Sequence, residues 1–74
     1  MNEENEKELI SKKASYYFKE QTIVHIILEN NRFYNGTIKY IGADFLLLND
    51  RKLGEVCIFF IELKGIDPFV EEGK

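Results

Sequence analysis

The sequence predicts a mainly β chain: an N-terminal α-helix followed by a five-stranded, strongly bent antiparallel small barrel. Three observations carry that expectation. Five short runs rich in β-branched and aromatic residues follow one another within roughly 45 residues, separated by turns bearing Asn, Asp and Gly. The links between the first four runs are too short for a parallel crossover, so those neighbours are antiparallel. The fourth run, Val56-Cys57-Ile58-Phe59-Phe60-Ile61, is apolar on both faces, with Val56, Ile58 and Phe60 on one and Cys57, Phe59 and Ile61 on the other. Such a strand wants cover on two sides, and a chain this short struggles to supply both.

Residues 1–6 are polar, lack apolar spacing and read as a disordered lead-in. A helix is predicted from Lys7 to about Gln21, with Ile10, Ala14, Tyr17 and Gln21 on one stripe and Leu9 and Phe18 beside it. Acids at its start and Lys12 and Lys13 further on suit the helix dipole. The helix is expected to lid one open end of the sheet. Thr22 to Leu28 is the first strand, with His25 sharing a face with Ile23 and Ile27. Glu29 to Arg32 is a turn, whose asparagines tolerate the positive φ that hairpins need.

Phe33 to Ile41 is the second strand, and Gly36 within it marks a bend or a close backbone approach. After the turn Gly42-Ala43-Asp44 comes a third strand, Phe45 to Asn49. Asp50 to Gly54 is a polar loop in which Gly54 is free to take a positive φ. Glu55 to Phe60 is the fourth strand, Ile61 to Lys64 a tight turn with 3₁₀ character, and Gly65 to Asp67 a last strand ended by Pro68. The domain therefore runs over residues 7–70, with 71–74 as tail.

At 74 residues the chain makes one domain. A core of this size supplies roughly 3–5 kcal/mol unless something staples it. One cysteine closes no internal disulfide, and one histidine with one cysteine makes no four-ligand zinc site. Self-association is the staple left, and Val56, Cys57, Ile58, Phe59, Phe60, Ile61 and Ile66 are the interface candidates. The formal charge of −3 lacks the basic footprint of a general nucleic-acid binder, although local patches remain open. No apolar run spans a bilayer, the acidic N-terminus is the reverse of a secretory signal, and a lone apolar-flanked thiol suits a reducing interior; a cytoplasmic protein is expected. No cofactor, metal, membrane partner or small-molecule substrate is expected. Nor is an enzyme: Asp44, Asp50, Glu62 and Asp67 stand in separate loops without a His, Cys or Ser partner.

The segment Val24-His25-Ile26-Ile27-Leu28-Glu29-Asn30-Asn31-Arg32-Phe33-Tyr34-Asn35-Gly36-Thr37-Ile38 resembles the first strand, Asn/Gly-bearing turn and glycine-bent second strand of the Sm-like (LSm) proteins, and Asp44 with Phe45-Leu46-Leu47-Leu48 is similar to the acid and apolar run that follow. The resemblance covers Lys7 to Phe69 and suggests a divergent archaeal or bacterial type. It implies a helix-plus-barrel fold, assembly into a homo-oligomeric ring, and noncatalytic RNA binding or RNA-scaffold work. The family's uridine pocket is degenerate here. Asp44 matches its acid, Leu48 stands where an Asn belongs, and Phe60-Ile61-Glu62-Leu63 carries no Arg-Gly.

Single-stranded RNA needs π-faces for stacking and cations for phosphate. The chain offers Arg32, Tyr34, Lys39 and Tyr40 around one strand, with Phe33 beside them, and Arg51 and Lys52 in one loop. Strict alternation gives Tyr34 and Tyr40 the same parity, and Phe33 and Lys39 the other. With Asp44 these are the RNA-binding candidates. The alternative reading is a structural or protein-interaction module on an SH3-like barrel with no RNA role.

Overall fold

A computed structural model describes residues 3–70, with side chains from Glu8 onward. Helix α1 (Glu3–Glu20) leads into β1 (Val24–Leu28), β2 (Phe33–Ile41), β3 (Phe45–Asp50), β4 (Gly54–Phe59), a 3₁₀ turn (Phe60–Glu62) and β5 (Leu63–Pro68). All pairings are antiparallel, in the order β4-β3-β2-β1-β5. The fold class and element order are those the sequence predicts.

The helix starts at Glu3 rather than Lys7, because its first turns need helix propensity and not a buried face; Glu and Lys supply that. It stops at Glu20 in a Schellman motif. Gln21 takes the left-handed conformation (φ 57°), its N–H donates to the Phe18 carbonyl, and the Thr22 N–H donates to the Tyr17 carbonyl. Ala14 is buried, Ile10, Tyr17 and Phe18 pack on the core, and Leu9 lies exposed.

The core consists of Ala14 with Val24, Ile26, Leu28, Ile38, Leu46, Leu48, Ile58, Leu63 and Ile66. Each fully buried Leu or Ile contributes about 1.5–3 kcal/mol relative to exposure. Alternation is clean in β1, where Val24, Ile26 and Leu28 are buried and His25 and Ile27 face outward. The β1–β2 turn places Asn31 at φ 71°, and Gly54 sits at φ 84°. At Gly36 a Cβ would stand 2.0 Å from the Asn49 carbonyl oxygen, so β2 and β3 approach as closely as they do only because no side chain intervenes.

A β-bulge at Lys39 overturns the strict alternation expected along β2. Gly36, Thr37 and Ile38 pair with Asp50, Asn49 and Leu48, but the next pair is Tyr40 with Leu47. The extra residue shifts parity by one. Tyr34, opposite Ile26, leans toward the core, whereas Tyr40 joins the outer face.

Strands β4 and β5 are the two edges, and neither pairs with the other. Because the connection between them is only the turn Phe60–Glu62, the sheet must roll around the core while its seam stays open. On β4 Ile58 is buried and Val56 packs against the core, as does Phe60 at the start of the 3₁₀ turn. The opposite face is bare: Phe59 is 45% exposed, and Ile61, in the turn that follows, 76%. Cys57 is exposed too, contrary to the sheltered thiol its apolar neighbours suggest.

Candidate functional site

A cleft of about 560 Å³ lies between the start of β2 and the β3–β4 turn. Phe33, Tyr34 and Asn35 form one wall, and Asp50, Arg51, Lys52 and Leu53 the other. The cleft therefore joins two aromatic faces, two cations and an amide.

Asp50 builds the second wall. It is only 9% exposed, and its carboxylate accepts three backbone N–H groups: Asn35 at 3.0 Å, Lys52 at 2.9 Å and Leu53 at 2.9 Å. Burial pushes its carboxyl up, but the N–H donors of Leu53, Lys52 and Asn35 and the charge of Lys52 outweigh that and hold it below its ordinary 3.8. The Arg51 N–H donates in turn to the Asn35 carbonyl at 2.9 Å. The turn carrying Arg51 and Lys52 is thus tied to β2 at Asn35 from both its side chain and its backbone. Arg51 lays its guanidinium 5.3 Å above the Phe69 ring, a stacking that holds its head without consuming its N–H donors.

On β2 the outward residues Phe33 and Asn35 are buttressed from β1. The His25 Nδ1 is hydrogen-bonded to the Asn35 Oδ1, and the His25 ring lies 5.4 Å from that of Phe33.

Of the RNA-binding candidates the structure brings Tyr34, Arg51 and Lys52 together. The rest are dispersed. Arg32 is in the β1–β2 turn and does not line the cleft. Lys39 pairs with Glu55 at 3.1 Å in a half-exposed bridge, the kind that contributes about 0–1 kcal/mol. Tyr40 belongs to an outer aromatic ladder with Phe45 and Phe59, each successive pair of ring centroids 6.0 Å apart. Asp44 stands at the far end of that ladder, where its carbonyl accepts the Phe60 N–H at 2.9 Å. Leu48, expected from the resemblance to stand where a pocket Asn belongs, is fully buried. Among the interface candidates Ile58 and Ile66 point into the core, each 1% exposed, so Cys57, Phe59 and Ile61 are the ones open to a neighbour.

Sequence reasoning missed Asn35, Asp50 and Leu53, gave Phe33 only a supporting place, and treated His25 as a sheet residue. The Asp50-Arg51-Lys52-Leu53-Gly54 run did hold a signal, since an Asp opening a polar loop commonly accepts N–H groups two and three residues on. The His25–Asn35 pair held none, because it depends on strand register.

Among the described residues no three His, Cys, Asp or Glu side chains gather as metal ligands, and no helix is long and apolar enough to cross a membrane. No protein-family model matches the chain, and no curated protein matches it. Among solved structures it is similar to a crystal structure of the pleiotropic translational regulator Hfq, with a TM-score of 0.68 and 18% sequence identity over 76% of this chain and 92% of that one. At that identity the likeness shows the fold, which is Sm-like.

Proposed function

We propose that the chain is a noncatalytic, cytoplasmic RNA-binding protein that works as a homo-oligomeric ring. The observation that carries the RNA reading is the cleft in which Phe33 and Tyr34 face Arg51 and Lys52. Bases stack on aromatic rings at a gain of about 1–3 kcal/mol each, and cations neutralise the phosphates between them. The resemblance to the Sm-like proteins and the fold shared with a translational regulator both support it. A net charge of −3 per chain leaves the work to this local patch rather than to a general basic surface.

The free edges support the ring. Strands β4 and β5 each present a row of unpaired backbone groups, and pairing β4 of one copy with β5 of the next would satisfy both. That contact is heterologous and closes when the rotation per copy divides a full turn. It would also bring cover to Phe59 and Ile61. A ring repeats a modest site many times, and avidity then offsets weak single contacts.

Fluorescence anisotropy with labelled oligo-U and oligo-A at low salt tests the reading. Wild-type protein is expected to bind at least one, with log K falling against log salt at a slope of about −1.4 per cleft if two phosphates are neutralised. Arg51→Ala with Lys52→Ala should flatten that slope, and Tyr34→Ala should weaken binding by about tenfold. A pure preparation that binds neither oligomer refutes it. One feature favours a protein-interaction module instead: the exposed run Tyr40, Phe59 and Ile61, apolar and remote from the cations of the cleft. On that reading a protein partner, not RNA, covers the patch.

A further inference from the structure

We infer that the 3₁₀ turn after β4 is a docking surface for a basic, apolar segment of another protein, one whose large apolar side chains are flanked by lysine or arginine. The inference takes up the protein-interaction reading of the exposed patch, and it holds whether or not the cleft binds RNA. The turn spans Phe60–Glu62. Phe60 packs against the core and Leu63 is buried, so Ile61 and Glu62 between them are turned out, Ile61 to 76% exposure. Two backbone bonds fix what surrounds this ridge. The Phe60 N–H donates to the Asp44 carbonyl at 2.9 Å and ties down the β2–β3 turn, while the Glu29 N–H donates to the Glu62 carbonyl at 2.8 Å and ties down the β1–β2 turn. Two hollows meet at Ile61. One, of about 450 Å³, is lined by Ala43, Asp44, Phe59, Phe60 and Ile61. The other, of about 300 Å³, is lined by Leu28, Glu29, Asn30, Ile61 and Glu62.

Apolar surface and charge together select the occupant. A contiguous exposed apolar patch with a polar rim marks a contact site, and Phe59 and Ile61 supply the patch. The rim is acidic: Asp44 lines one hollow, Glu29 and Glu62 the other, and no cation lines either. Among the described residues the ion pairs are Lys13–Asp67 and Lys39–Glu55, so within them none of these three carboxylates is paired. Such a rim repels a phosphate backbone. A segment that sets apolar side chains into the hollows, with lysine or arginine on either side, buries Ile61 and matches the rim by complementary charge. The surrounding turns are already tied together, so docking orders little of this chain. The ring pairing proposed above engages the edge of β4, which ends at Phe59, and no residue of β4 or β5 lines the hollow of Glu29 and Glu62.

Fluorescence anisotropy on the full-length chain tests this with three labelled peptides of equal length. The first alternates lysine with leucine and phenylalanine, the second has glutamate in place of the lysines, and the third has serine in place of the apolar residues. Wild type is expected to bind the first and neither of the others. Ile61→Ser should weaken that binding by about tenfold, the loss of one apolar anchor. Glu62→Lys should weaken it by about fivefold. Both residues are exposed, so both variants should keep the wild-type circular dichroism. Glu8→Lys makes the same change of net charge on the helix and should leave the affinity as it is. Equal binding of the serine peptide, or an equal loss in Glu8→Lys, would mean attraction by net charge alone and overturns the inference. So does a first peptide that lowers the native mass toward one chain, since this face would then be a contact between copies. A glutamate peptide that binds through Ile61 keeps the patch as a protein surface and overturns its basic partner. If none of the three binds, the protein-interaction reading of the patch and this inference fall together.

Discussion

Replacing Asp50 with alanine should cost the fold about 2–3 kcal/mol. The carboxylate accepts from Asn35, Lys52 and Leu53, and a net hydrogen bond to a charged group is worth about 1.5–3 kcal/mol. The three losses are not additive. The Lys52 and Leu53 N–H groups sit on an exposed turn and can turn to water once the side chain is gone. The Asn35 N–H, between β2 and the turn in a half-buried position, keeps no such outlet and dominates the figure. Urea unfolding followed by circular dichroism measures the effect, at one fixed protein concentration because self-association would move the midpoint. At a slope of about 1 kcal/mol per molar the midpoint should fall by about two to three molar. A loss below about 0.5 kcal/mol would refute the clamp. The pH dependence gives an independent check. Asp50 is held below its ordinary carboxyl range, so its contribution is present above 3.8 and lost as pH falls through the lower folded value. The stability gap between wild type and Asp50→Asn should therefore be widest near neutrality and close in acid.

Gly36→Ala puts a methyl group against the Asn49 carbonyl at a 2.0 Å separation between two backbones, and should cost 3 kcal/mol or more by thermal unfolding, about the upper end for overpacking. Phe59→Glu, on the exposed face of β4, should leave the monomer's circular dichroism intact and lower the mass seen by light scattering; an unchanged mass would show that this face is not an interface. Lys39→Ala removes only a half-exposed bridge to Glu55 and should shift stability by less than about 1 kcal/mol.

The fold was legible because its strongest signals are local. Apolar runs of strand length, an Asn turn and a glycine within β2 fix where strands begin and bend, and each depends on few residues. The same locality explains β4: six residues state that both faces are apolar, and the structure leaves Phe59 and Ile61 bare. The site was less legible because it is made by register. Strict alternation gives Tyr40 to the wrong face, since one bulged residue at Lys39 inverts everything after it and nothing in the local composition announces the bulge. Asp50 reads from sequence as a loop acid, yet its partner Asn35 is fifteen residues away across a strand pair. His25 and Asn35 meet only once β1 and β2 are aligned. Tyr34, Arg51 and Lys52 were found by residue type alone, which also drew in Arg32, Lys39, Tyr40 and Asp44 from other parts of the surface.

The most direct measurement is the native mass of the purified chain, by light scattering or native mass spectrometry, with and without a short single-stranded RNA. A multiple of 8.7 kDa that gains RNA is what two bare sheet edges and a stacking cleft together require. A species of one chain's mass that takes up no RNA would contradict it.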